Sequence, residues 1–424
     1  MCKSLFDSKI LTSILFLSIL ISCQKNLPEN VELAYHKLPA KVDFNIDVKP
    51  ILSDKCFSCH GPDAVPRKAN LRFDIEGGLF KKSSNGNFAF MPGSLNKSEA
   101  IKRILSDDLN YRMPPIESHL TLSAREKAIF VKWVEQDAEW KKHWAFISPT
   151  KAYPPKIDKD WILKNEIDHF VYAKLIENNL SPADNTTKEQ LLRRVTIDLT
   201  GMVPTLSELN LFLNDKSTDA YEKVVNRLLK SDAHAERLTT EWMDLARYSD
   251  SHGYHADGSR HMWPWRDWVI KAFKENMPYN DFVTEQIAGD LLPNATKEQI
   301  LATAFNRNHP TTSEGGFIDE KFRVDYVTNR TNTFGTAFLG MTMECAKCHD
   351  HKYDPISQKN YYQLFAFFNN VKELGLSAND KNTGPFLLLT DSITDKKMSR
   401  LNTEIDSLEQ IENKEKKNFI TDAN

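Results

Sequence analysis

Two short runs hold the residues best suited to chemistry: Cys56-Phe57-Ser58-Cys59-His60 and Cys345-Ala346-Lys347-Cys348-His349. Each sets two thiols one helical turn apart and an imidazole directly after the second. This is the spacing that a covalently attached c-type haem requires. The thiols reach the two vinyl groups of one porphyrin, and the histidine falls beneath the iron as proximal ligand. Four of the six cysteines lie in these runs. The pattern predicts two covalent haems, on Cys56 and Cys59 and on Cys345 and Cys348, with His60 and His349 as iron ligands. The alternatives for the thiols are a disulfide within each run or a zinc site, and the wide separation of the pairs is unlike a compact zinc ribbon.

The N-terminal residues point to a compartment. Lys3 and Lys9 accompany an apolar run, Ile10 to Ile21, that is short for a membrane span and right for a signal-peptide core. The run closes on Leu20-Ile21-Ser22-Cys23, which resembles a bacterial lipobox. That resemblance implies cleavage before Cys23 and lipidation of its thiol; the alternative is an ordinary signal peptide beside a stray cysteine. Residues 1–22 are therefore expected to be a lipoprotein signal peptide, and residues 23–40, polar and aperiodic, a tether. The expected location is outside the cytoplasm, lipid-anchored in the cell envelope and facing the periplasm or the surface, with membrane contact through the lipid. Haem is joined to such runs outside the cytoplasm, so both signals require export.

A net charge of −3 gives no dominant basic field and argues against a nucleic-acid partner. Hydrophobic content of 41% is ordinary for a folded chain, and 424 residues leave room for two or three domains.

The elements that must position the first run fall within residues 41–140, a stretch with the size and helical plan of a small cytochrome c. Phe44, Val48 and Leu52 recur at helical spacing, and Pro50 inside that pattern predicts a kinked or short helix. Ser123 and Glu126 form a capping box opening a helix with Ile129, Phe130, Trp133 and Val134 on its apolar face. For the sixth iron ligand the choice is Met113, held in Tyr111-Arg112-Met113-Pro114-Pro115, where a thioether would raise the potential. Met91, in Phe90-Met91-Pro92-Gly93, is the alternative. The order CFSCHGPD, RMPP and a Trp-bearing helix resembles the planctomycete-type cytochrome c family over about residues 44–138. The resemblance implies haem on the first run, with Met113 as distal ligand.

Residues 143–375 read as a larger, all-helical domain containing the second run, which makes the chain mainly α. Ile167, Phe170, Val171 and Leu175 form one stripe; Leu191, Leu192, Val195, Ile197 and Leu199 form another that stops at Gly201. The segments LLRRVTIDLTGMVPT, WMDLARYSDSHGY, WPWRDWVIKAF and CAKCHDHKYDPISQKNYYQLFAFFNN resemble the uncharacterised domain that follows planctomycete-type cytochrome domains. The resemblance implies haem at the second run, no settled reaction, an association with exported polysaccharide-degradation systems, and a further domain beyond residue 424.

For the distal side of the second iron the candidates are His309, His252 and His255, with His261 behind them. A second histidine would make a low-potential carrier; an open position would suit peroxidase-like chemistry. His351 is too near His349 in sequence to reach the opposite face, which leaves it a propionate, a carbonyl or a substrate. Arg307, Arg323 and Arg330 could hold an anion, and Trp263, Trp265 and Trp268 could stack on a sugar or a haem. No catalytic residue is assigned. Residues 376–424 read as a linker and a partial coiled-coil-like helix with Met398, Leu401, Ile405 and Leu408 in a stripe.

Together these features predict an exported c-type dihaem protein in electron transfer. It would be the redox part of an envelope oxidoreductase acting with an unnamed redox partner and a carbohydrate substrate. Electron transfer is expected ahead of any defined catalytic activity. The rival reading is a monohaem cytochrome fused to a non-redox scaffold that binds glycan or a partner.

Overall fold

Asp43 starts the first helical segment by accepting hydrogen bonds from the amides of Asn45 (2.8 Å) and Ile46 (3.1 Å). Pro50 has no amide hydrogen, so one unbroken helix here would lack a bond. The chain instead divides into a π-helical turn, Phe44–Val48, and an α-helix with proline in its first turn. Phe44, Val48 and Leu52 still share one buried face. The kink expected from the sequence is this change of helix type.

The computed structural model describes residues 27–83, 86–254, 257–314, 318–371, 373–375, 384 and 387–422. Cys23, the expected signal segment 1–22 and His255 lie outside them. Among the described residues there are 17 α-helices and no strand, only isolated bridges such as Ser251 with Ser259. The chain is mainly α, as the periodicity predicts. No helix among the described residues is long and apolar enough to cross a membrane.

The chain divides into two compact units. The first comprises residues 1–153 and 344–361. Its helices are α1 (Glu29–His36), α2 (Lys49–Lys55), α3 (Phe57–His60), α4 (Glu76–Leu79), α5 (Glu99–Leu105) and α6 (Ala124–Glu135). The Ser123 capping box forms: the Ser123 amide donates to Glu126 Oε2 at 2.7 Å, and the Glu126 amide donates to Ser123 Oγ at 3.2 Å. Helix α6 buries Ile129, Phe130, Trp133 and Val134. Trp133 forms the centre of the core, with its ring 5.5 Å from Phe90, 5.8 Å from Phe44 and 6.4 Å from Phe80. Its indole N–H donates to the Glu139 carbonyl at 3.0 Å, so the large ring is buried without an orphan donor.

Two features differ from the sequence reading. Residues 29–36 are helix α1, packed on α6 through buried Val31 and through Tyr35, whose hydroxyl donates to Glu135 at 2.7 Å. The expected tether therefore does not extend over residues 27–40. A helix with one buried apolar side chain is too polar for periodicity to reveal. The second difference concerns packing: Glu344–Tyr361, which holds the second cysteine run, packs with the first compact unit.

The second unit comprises residues 154–343 and 362–424. It contains α7 (Glu166–Glu177), α8 (Lys188–Thr200), α9 (Leu206–Asn214), α10 (Ala220–Leu229), α11 (Asp232–Ala246), α12 (Trp263–Lys274), α13 (Tyr279–Ala288), α14 (Lys297–Ala302) and α15 (Asp319–Leu339). Helix α16 (Gln358–Phe368) ends in this unit, and α17 (Ser392–Asp422) closes it. Helix α8 stops at Gly201, whose φ of +71° suits a residue without Cβ. The core is aromatic: Trp242, Trp265, Trp268, Phe282 and Phe305. Trp265 and Trp268 are thus structural, while Trp263 is exposed. The predicted helix α7 forms, but Ile167, Phe170 and Val171 stay exposed. The stripe on α17, Met398, Leu401, Ile405 and Leu408, is exposed as well.

Candidate functional site

Helix α3 is a single turn, and its length is what brings the first run together. The amides of Cys59 and His60 both donate to the Cys56 carbonyl, at 3.1 and 2.8 Å. Both sulfurs and the imidazole therefore sit on one turn. Gly61 must follow: a Cβ at that position would lie 2.3 Å from the Phe57 carbonyl oxygen.

These residues line an apolar cleft of about 1080 Å³ measured to its open mouth, with about 200 Å³ clear of the walls by a water radius. The space is a slot rather than a hollow. Cys56, Cys59, His60, Phe73, Phe90, Ile104, Leu122 and Phe130 line it, and Met113 reaches it from the loop after α5. Met91 is not among its walls; its amide donates instead to Ser98 Oγ at 2.8 Å. The Met113 amide donates to the Arg103 carbonyl at 3.0 Å, which ties the proline-bearing loop to α5.

The donor set fits a c-type haem. Cys56 and Cys59 are free thiols. Burial, with Cys59 adding to it, pushes the Cys56 thiol up to about 12, so it stays protonated. His60 packs against Phe73 with ring centroids 4.8 Å apart. Its Nδ1 is buried without a partner of hydrogen-bonding geometry. Burial lowers the His60 pKa, opposed by the nearby Lys68 main chain, so the ring is held as a neutral ligand. Sequence reasoning missed Arg103 and Lys55, which line the cleft together with Glu99. Arg103 is held by Glu99 Oε1 at 2.9 Å and lies over the Tyr111 ring. Nothing in the spacing of Arg103 marks it, because its place in the cleft depends on where α5 packs.

The second run has the same donors in a more open setting. Cys345, Cys348 and His349 are exposed on and just after a 3₁₀ turn, Glu344–Lys347, anchored by buried Ala346. His349 Nδ1 lies 2.8 Å from the Asp350 carbonyl, an acceptor only, so Nδ1 is the donor of that bond. Gln358 steadies the run: its amide donates to Asp350 Oδ1 at 2.9 Å and its side chain to the Lys347 carbonyl at 3.1 Å. His351 is buried, and its Nδ1 accepts from the amides of Tyr353 and Asp354 at 3.2 and 2.9 Å. It shapes the loop rather than facing a substrate. This loop packs on the first run's surroundings. Phe57, Arg72 and Asp74 line one pocket with Asp350, Lys352 and Tyr353.

Among the described residues no three His, Cys, Asp or Glu side chains are grouped so as to hold a metal ion. Two of the distal candidates, His309 and His252, are buried in the second unit. His309 is buried with Nδ1 on the Pro310 carbonyl at 3.0 Å and Nε2 on Arg330 at 2.8 Å. Both of its nitrogens thus have partners within the second unit. His252 is buried with Nδ1 2.6 Å from Thr311 Oγ1. Arg307 and Arg330 converge on Glu373, while Arg323 pairs locally with Glu320.

Two thiols, an imidazole and a thioether facing one apolar slot define the first unit as a c-type haem domain. Residues 56–117 match the family model described as Planctomycete cytochrome C, and residues 166–373 match that described as Protein of unknown function (DUF1549). The chain carries a planctomycete-type cytochrome c domain followed by a domain of that uncharacterised family, the order its sequence implies. The cytochrome match implies covalent haem c, which Cys56 and Cys59 are spaced to hold. No significant match was found to a curated protein or to a solved structure.

Proposed function

We propose that this chain is an exported, lipid-anchored dihaem cytochrome c that carries electrons within the cell envelope. The observation that carries the reading is the convergence of Cys56, Cys59, His60 and Met113 on one slot. A haem bound there supplies reversible one-electron chemistry. The protein's part is to hold and tune it. Cys56 and Cys59 fix the ring edge, His60 and Met113 bind the iron, and Phe73, Phe90 and Phe130 exclude water.

Cys345, Cys348 and His349 hold a second covalent haem on this reading. Their exposed thiols and the His349 ring anchored through Nδ1 support it, and so does their place in the same unit as the first run. Cys23 takes the lipid, the partner is a redox protein, and the second unit serves oxidation of a carbohydrate in polysaccharide breakdown.

The test is pyridine haemochrome content and intact mass of protein matured with a c-type haem assembly system. Two haems are expected, falling to one in the Cys345→Ala, Cys348→Ala variant. One haem in the parent chain would reduce the protein to a monohaem cytochrome fused to a scaffold. A mass without diacylglycerol on Cys23 would remove the anchor.

A further inference from the structure

The second unit contains a cleft unrelated to either cysteine run. It measures about 1900 Å³ to its open mouth, with about 820 Å³ clear of the walls by a water radius, which is ample for a small molecule. Leu291, Leu301, Phe334, Phe367 and Phe368 make its walls apolar. Two guanidinium groups, Arg307 and Arg330, form part of the same lining.

These arginines are unusually placed. Arg330 is 4% exposed. Its Nε donates to the Asn306 carbonyl at 2.8 Å, and its Nη2 meets His309 Nε2 at 2.8 Å and Glu373 Oε2. Among the described residues its Nη1 has no acceptor, so one charged donor of a buried side chain remains unspent at the cleft. Arg307 Nη1 donates to the other oxygen of the same carboxylate, Glu373 Oε1, at 2.6 Å. Arg260, behind them, is also buried and gives its donors to the carbonyls of Ser249, Arg307, Asn308 and His309. Arg307 and Arg330 thus share one buried carboxylate, and Arg260 is held by main-chain carbonyls. Asp290, on the cleft wall, is exposed to solvent and does not redress the balance within. Burial lowers the pKa of Arg330 to about 9 and that of Arg307 to about 10.

We propose that this cleft binds a small amphipathic carboxylate, its anionic head on Arg330 and Arg307 and its apolar body along Phe334, Phe367 and Phe368. A guanidinium is matched to a carboxylate in shape and charge. The apolar walls reward a hydrocarbon or aryl body and offer little to a polar sugar. The site is independent of haem content.

Calorimetric titration of the full chain with octanoate and with octanol separates the two contributions. Octanoate should bind about ten-fold or more tighter, the usual value of a charge-assisted hydrogen bond in a buried site. Arg330→Gln should abolish that preference and leave octanol binding in place. Phe367→Ser, at a position 76% exposed, should weaken both ligands and keep their ratio. If Arg330→Gln does not fold, Asp290→Lys on the exposed cleft wall should strengthen octanoate several-fold and spare octanol. Absence of octanoate binding, equal binding of the two ligands, or a preference untouched by both charge changes overturns the proposal.

Discussion

His143 donates from Nε2 to Asp354 Oδ1 at 2.9 Å, joining the segment after helix α6 to the loop after the second cysteine run. Its Nδ1 accepts from the Ala145 amide at 3.3 Å, which fixes the proton on Nε2. Burial and the nearby Lys49 lower the His143 pKa, so at neutral pH the contact is a hydrogen bond rather than an ion pair. Its partner Asp354 also attracts Lys49, which makes a three-residue clasp.

That clasp predicts the behaviour of His143→Ala. Loss of one hydrogen bond to a charged acceptor costs about 1.5–3 kcal/mol locally. Amide hydrogen exchange at residues 347–356 should accelerate about ten-fold or more, while the amides of Cys59 and His60 keep their protection. Unchanged exchange at residues 347–356 would show that the loop is held without His143.

Met113→Ala, in protein carrying its first covalent haem, should lower the reduction potential and let added imidazole bind the iron. Methionine ligation raises potential, and Met113 lines the slot. Met91→Ala should change neither property, since Met91 is not among the slot's walls. The reverse pattern would transfer the ligand to Met91.

Much of this site is legible in the chain because its signals are local. The Ser123 and Glu126 capping box, the Cys56 to His60 turn and the proline-held Met113 each depend on residues a few positions apart. The return of Glu344–Tyr361 to the first unit is not local. It rests on His143, Lys49 and Asp354, polar residues without period, and nothing in their spacing announces that they meet. His309 shows the same limit. As a lone histidine before proline it reads as a ligand, and only the fold reveals that Arg330 occupies its second nitrogen.

Acid should destabilise the second unit. Burial lowers the pKa of His309 well below 6.5, with Arg330 adding to it, and lowers that of His252, with Arg260 adding to it. Both stay neutral in the folded chain where the unfolded chain, near 6.5, takes a proton. Their contribution is therefore complete above about pH 6.5 and is lost as pH falls, by up to about 1.4 kcal/mol per pH unit for each histidine. Urea midpoints measured from pH 7.5 to 5 should fall, and His309→Gln should flatten the slope below 6.5. A slope unaltered by that change would place the acid sensitivity elsewhere.

Glu373→Ala should be among the most damaging substitutions in the second unit. It leaves Arg307 and Arg330 without their shared carboxylate, and an uncompensated buried charge costs about 3–5 kcal/mol. Thermal melts should show a large loss, and Glu373→Gln, which retains an acceptor, a smaller one. A melting temperature unchanged in Glu373→Ala would mean that water already reaches both guanidinium groups.

The first unit is discontinuous, since residues 154–343 intervene between its two parts. During synthesis, helices α1 to α6 and the first cysteine run emerge long before Glu344–Tyr361 exists. Loading of the first run can begin on an unfinished domain, and the clasp at Asp354 closes only after the intervening chain has been made. The segment 154–343 is in effect an insertion, and the second unit is completed by residues 362–424, made after the stretch that seals the cytochrome domain. Slow synthesis of the insertion would delay that sealing without touching a single residue of the haem slot.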